Sequence, residues 1–127
     1  MLNDSFEIVS CDERGYMFKC KIRGKSVFII FTKRGFARGG EFHPVIQYTA
    51  VISGKVMYKT NCPDGEKNWE VRHTGVFKVP ANIAHVMVAL EDSITIEWHD
   101  GELPPFEQKK IYEPYREFIK RNYFEDV

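Results

Sequence analysis

Gly35-Phe36-Ala37-Arg38-Gly39-Gly40-Glu41-Phe42-His43-Pro44-Val45-Ile46-Gln47, followed after six residues by Gly54, is the stretch on which the reading of this chain turns. A second stretch, Gly75-Val76-Phe77-Lys78-Val79-Pro80-Ala81-Asn82-Ile83-Ala84-His85, completes it. Glu41 and His43 are two apart, so on an extended chain they point to one face. Pro80-Ala81-Asn82 reads as a tight turn, because Asn tolerates the left-handed conformation better than most residues. The strand after that turn puts His85, Met87 and Ala89 on one face and Val86, Val88 and Leu90 on the other. With the two stretches side by side, Glu41, His43, Gln47 and His85 converge inside a barrel. That is a set for proton transfer or for holding a metal.

Around these stretches the chain is mostly strands and turns. Residues 16–22 alternate apolar and polar (Tyr16, Phe18, Cys20, Ile22), the period of a half-buried strand. Further strands are expected at 6–10, 26–32, 48–53, 55–60, 69–73, 76–79, 84–90 and 94–99. Residues 33–40, with three glycines, read as a loop or irregular strand. Arg23-Gly24-Lys25 is a hairpin-like break, and Pro63-Asp64-Gly65 is a turn in which Pro presets φ and Gly permits a positive one. Short strands at such regular spacing suggest a sandwich or barrel. Leu103-Pro104-Pro105 breaks the pattern. Residues 114–121 can then form a short helix, with Pro114 in the first turn and Tyr115, Phe118 and Ile119 in one apolar stripe that docks on the barrel.

The chain has 127 residues, the size of a single domain able to bury its own core. Lys and Arg total 18, as do Asp and Glu, and this balance argues against a nucleic-acid binder. No apolar run approaches the roughly 20 residues of a membrane span. Residues 1–5 have neither the basic nor the apolar region of a signal peptide. Three cysteines without a CxxC pair (Cys11, Cys20, Cys62) suit a reducing cytoplasm better than a disulfide framework or a zinc ribbon.

The two quoted stretches resemble the motifs of the cupin superfamily. In G(X)5HXH(X)3,4E(X)6G, Gly35, His43 and Gly54 match; Glu41 stands at the first His and Gln47 at the Glu. In G(X)5PXG(X)2H(X)3N, the Gly75 to Pro80 spacing is one residue short, Asn82 replaces Gly, His85 matches and Ala89 replaces Asn. The resemblance implies an all-β, single-domain double-stranded β-helix, or jelly-roll barrel, over residues 1–127. Residues 1–34 would be leading strands, 35–99 would carry both motifs, and 100–127 would be a tail with the short helix.

Arg38-Gly39-Gly40-Glu41-Phe42-His43 with Gln47 further resembles the RG-x-H-x-H-x3-Q stretch of the sugar-nucleotide 3,4-ketoisomerases, metal-free cupins that act on 4-keto-6-deoxyhexoses. Tyr112-Glu113-Pro114-Tyr115-Arg116-Glu117-Phe118-Ile119 is similar to their terminal segment. The implied function is a sugar-nucleotide isomerase or epimerase without a cofactor. His43, Glu41 and His85 would move protons, and Arg38, Gln47 and Glu97 would contact substrate. Arg38 suits a bidentate grip on phosphate or carboxylate. The alternative is a metallocupin in which His43, His85 and Glu41, with Gln47 as a possible fourth, hold Fe, Mn, Zn or Ni; two histidines and a carboxylate suit non-haem iron. A third reading is a barrel that binds a small molecule without turnover. The resemblance also implies a homodimer. His73 and His99 belong to no motif and are read as surface residues.

Overall fold

A computed structural model of the chain describes residues 4–100 and 109–123. Ten strands come first: β1 (Ser5–Asp12), β2 (Gly15–Ile22), β3 (Lys25–Thr32), β4 (Ala37–Phe42), β5 (Gln47–Ser53), β6 (Lys55–Cys62), β7 (Gly65–Arg72), β8 (Val76–Val79), β9 (Ala84–Ala89) and β10 (Ser93–His99). A short β11 (Lys110–Ile111) then leads into the helix α1 (Glu113–Tyr123). The first sheet has the order β1-β2-β3-β10-β5-β8 and the second β11-β4-β9-β6-β7. Every pairing is antiparallel. The two sheets close into the expected cupin-type jelly roll with one C-terminal helix.

Several boundaries differ from the sequence reading. Residues 33–40, read as a loop or irregular strand, divide between the two: a turn at 34–35, then β4, which starts at Ala37 and runs with a shifted register through both glycines. β7 begins at Gly65, because Cys62 pairs with Gly65 across a two-residue turn, and it ends before His73. β11 was not anticipated at all. The break expected at Leu103-Pro104-Pro105 lies outside the described residues. The helix forms as expected and starts one residue earlier, at Glu113, with Lys120 and Arg121 in its last turn, where cations suit the helix dipole.

Two apolar clusters hold the barrel. One lies between α1 and the outer face of the second sheet, where Ala37, Ala84, Val86 and Val88 pack on Tyr115 and Ile119. The other fills one end of the barrel interior with Val51, Val56, Tyr58, Val71, Val79 and Met87. Both faces of β9 are therefore covered, and all six of its residues are buried. The rest of the interior is left open as a cavity. Cys11, Cys20 and Cys62 are free thiols, and no described helix is long and apolar enough to cross a membrane.

Candidate functional site

The cavity has a volume of about 840 Å³, within the usual range for small-molecule sites. Its lining includes all six residues singled out from the sequence: Arg38, Glu41, His43, Gln47, His85 and Glu97.

A bulge makes this convergence possible. Arg38 and Glu41 are three apart, so a regular strand would send them to opposite faces. The register of β4 against β9 shifts between Gly39 and Glu41, and Glu41 comes opposite His85. Gly39 and Gly40 absorb the extra residue with φ of 105° and 79°, values that only glycine adopts easily. The same two positions are crowded: a Cβ on Gly39 would lie 3.1 Å from the carbonyl oxygen of His85, and one on Gly40 would lie 3.0 Å from the Arg116 side chain.

The second motif locks onto the first at His43. Asn82 adopts φ of 63°, as its place in the turn suggested, and its N–H donates to the His43 carbonyl at 2.7 Å. His43 and His85 then meet edge to face, with ring centroids 5.1 Å apart. Each ring is held by the same device. His43 Nδ1 donates to the Val45 carbonyl at 2.9 Å, and His85 Nδ1 donates to the Ile83 carbonyl at 3.0 Å. Anchoring Nδ1 fixes the tautomer of a neutral ring and leaves Nε2 for chemistry.

Gln47 carries the network inward. Its side chain lies 3.1 Å from His43 Nε2 and reaches the Thr49 hydroxyl at 3.3 Å, and Thr49 in turn bonds to Tyr58 at 2.7 Å. With Oε1 toward His43, both ring nitrogens face oxygens, which suits an imidazolium. With the amide turned over, its NH2 donates to a neutral ring.

Glu41 is clamped from the tail. Lys109 Nζ lies 2.8 Å from its carboxylate and Arg116 lies at 4.0 Å. Arg116 also donates to the Gly40 carbonyl at 3.3 Å, so β11 and α1 close over the bulge.

Arg38 is buried, with 7% of its surface exposed. Its guanidinium donates to the Thr32 hydroxyl at 2.9 Å and the Phe31 carbonyl at 3.1 Å, while Nη1 has no partner among the described residues. Burial, and secondarily Arg14, pushes its pKa down to about 10, which leaves it charged at neutral pH. Burial pushes Glu97 up to about 7 and His85 down to about 4.

His99 corrects the sequence reading. It is not a surface residue: only 6% of its side chain is exposed, and it lines the cavity. It packs edge to face on His43 at 5.3 Å, and its Nε2 lies 3.9 Å from Glu97. Burial pushes its pKa down to about 4. A signal was present in the sequence, since the period of two that turns Glu97 inward turns His99 inward as well. His73 is exposed, as expected.

The charge of the wall was not legible either. Arg14, Lys19, Arg38, Lys109, Arg116 and Lys120 line the cavity, against the carboxylates Glu41 and Glu97. A chain of balanced charge has thus gathered six of its 18 cations around one hollow, an arrangement that favours an anionic ligand.

Glu41, His43 and His85 are also a group able to hold a metal ion, with ligand atoms all within 4.8 Å of one another. The donor set fits a borderline transition metal, with both Nδ1 atoms already tied back. Binding there would compete with Lys109 for Glu41 and with Gln47 for His43 Nε2.

No protein-family model matches the chain, and no curated protein matches it by sequence. Solved structures do match. The capsular polysaccharide assembling protein CapF from Staphylococcus aureus is 20% identical, with 84% of this chain and 32% of that one covered and a TM-score of 0.72. An oxalate decarboxylase variant from Bacillus subtilis is 16% identical, with 83% and 30% covered and a TM-score of 0.70. The formate complex of Lactobacillus farciminis oxalate decarboxylase is 13% identical, with 93% and 38% covered and a TM-score of 0.72. This chain spans about a third of the length of each, and the likeness is one of fold.

Proposed function

We propose that this cupin-fold chain is an isomerase or epimerase that moves a proton on a nucleotide-linked 4-keto-6-deoxyhexose. The observation that carries the reading is the pair of anchored imidazoles, His43 and His85, beside Glu41 in a hollow walled by cations. A hydrogen on the carbon next to a ketone is acidic enough to be taken by a positioned base, and the enediolate is then reprotonated at the neighbouring carbon. In this reading His43 and Glu41 make the two transfers, with His85 assisting beside them. Arg38, with one guanidinium nitrogen unpaired among the described residues, is suited to the negative oxygen of the enediolate or to a phosphate. Glu97, held protonated up to about pH 7, can donate a hydrogen bond to a sugar oxygen. The likeness to a capsular polysaccharide assembling protein agrees with a carbohydrate substrate. Free thiols agree with a cytoplasmic setting.

The clustering of Glu41, His43 and His85 favours a second reading, a divalent metal centre. These three residues would hold the ion, with Gln47 as a fourth, and the ion would polarise a substrate oxygen. In that reading Arg38 and Glu97 orient the substrate.

Two measurements test the readings. Protein incubated with dTDP-4-keto-6-deoxyglucose in D2O is followed by NMR. Deuterium entering beside the ketone, lost in His43→Ala, is the expected result. No exchange, with or without added Fe(II), Mn(II) or Zn(II), overturns the isomerase. Elemental analysis of protein never exposed to chelator tests the metal. Near-stoichiometric metal that disappears in His85→Ala moves the three residues to ligands.

A further inference from the structure

The tail brings a cation into the cluster of Glu41, His43 and His85. β11 pairs with the edge of β4, Ile111 opposite Glu41 and Lys110 opposite Phe42. One step back along the chain, Lys109 falls at the level of His43, and it lines the cavity. Its Nζ lies 2.8 Å from Glu41 Oε2, and an Arg116 nitrogen reaches the same oxygen at 4.0 Å. Neither cation hangs from a loose chain end. Lys109 directly precedes the β11 pairing, and Arg116 donates to the Gly40 carbonyl at 3.3 Å. The neighbouring Lys110 is exposed and does not line the cavity.

The charges of this cluster balance without an added ion. The two imidazoles and the Gln47 amide bring no negative charge. Glu41 brings one, and Lys109 offsets it at hydrogen-bonding distance. The three donors that lie close enough to share a metal are also the ones already engaged. Glu41 meets Lys109, His43 Nε2 meets the Gln47 side chain at 3.1 Å, and both Nδ1 atoms are tied to carbonyls. A divalent ion on Glu41 would have to part the carboxylate from Lys109. It would also set two like charges against each other at a wall that already carries Arg116.

We propose that Lys109 is a positioning residue that keeps this centre free of metal: its ammonium stands in for the ion and holds Glu41 in place for proton transfer. The inference rests on the cofactor-free isomerase reading. It assigns to the tail the choice between the two chemistries that the donor set allows. An ordinary surface ion pair would contribute little to stability and would leave metal affinity untouched.

Metal binding by the untagged full chain tests the proposal, with activity kept as a separate readout. Chelator-stripped protein is titrated with Co(II), followed by its visible absorption, and with Zn(II), followed by calorimetry. Lys109→Met should bind both ions about tenfold tighter than the native chain, or more. Lys109→Arg, which keeps a cation, should bind as weakly as the native chain. Lys110→Met removes the same charge one position away and should change nothing. The gained site should vanish when His85→Ala is added to Lys109→Met. Lys109→Gln carries the same expectation and replaces Lys109→Met if circular dichroism shows that variant unfolded. A native chain that already binds as tightly as Lys109→Met overturns the proposal. So does an equal gain in Lys110→Met or Lys109→Arg, or a gain that survives His85→Ala. Deuterium exchange separates this inference from the reading beneath it. A native chain that exchanges nothing, while Lys109→Met gains the metal, removes the isomerase and keeps the role of the lysine. Exchange by the native chain without that gain does the reverse.

Discussion

The outer face of the second sheet and that of the first are made of the same kind of residue but sit in different surroundings. On the second, Ala37, Ala84, Val86 and Val88 point outward and are at most 5% exposed, because α1 lies across them. On the first, Ile8, Tyr16, Ile94 and Val76 point outward and range from 36% to 63% exposed. The chain supplies its own cover for one face through the Tyr115, Phe118 and Ile119 stripe. Nothing among the described residues covers the other. The comparison shows that an apolar strand face records a demand for cover without recording where the cover comes from.

The largest effect should come from charging the covered face. Val86 is fully buried, so Val86→Asp strands a carboxylate under the helix and should cost about 3–5 kcal/mol, enough to unfold much of the protein. The matched Ile94→Asp, at a site 36% exposed, should cost under about 1 kcal/mol in urea. Equal losses at the two sites would erase the distinction between the faces.

Removing packing instead of adding charge sharpens it. Ile119→Ala, at a site 4% exposed, should lower stability by about 2–4 kcal/mol as cavity and transfer terms combine. Hydrogen exchange should then rise first along β4 and β9 rather than along β2 and β3. Uniform loss of protection would mean that the helix does not act on one sheet alone.

A third test concerns the inner faces. Burial holds His85 and His99 near pKa 4, against an ordinary 6.5. Between those values the unfolded chain binds the extra protons, so stability should fall as pH drops from about 6.5 toward 4. Glu97 has the opposite sign: with a pKa raised to about 7, folding loses stability as pH rises from about 4.5 to 7. Urea midpoints from pH 4 to 8 should show His99→Gln flattening the acid limb and Glu97→Gln lifting the neutral one. Midpoints that do not move would place these groups in contact with water.

The smallest effect belongs to an exposed ion pair of α1. Lys120 and Glu117 are exposed and 4.0 Å apart, so Lys120→Ala should leave the urea midpoint unchanged within error.

Much of this was legible in the sequence because it depends on local rules. The period of two laid out the strands and put Glu41 beside His43 and His85 beside Met87. Asn82 marked a left-handed turn, and the helix stripe announced its docking. Other features depend on residues far apart in the chain. Arg38 and Glu41 have opposite parity, and only the bulge paired against β9 brings both inside. His99 lay in no motif, and its contact with His43 comes from β10 lying beside β5, where His99 pairs with Gln47. The cationic cavity gathers residues from β1–β2, β4 and the tail, a sum that no window of sequence contains. Local chemistry fixed which way each strand turns its side chains. The closure of the two sheets decided which of those side chains meet, because contacts between distant strands are set by register and burial rather than by neighbours in the chain.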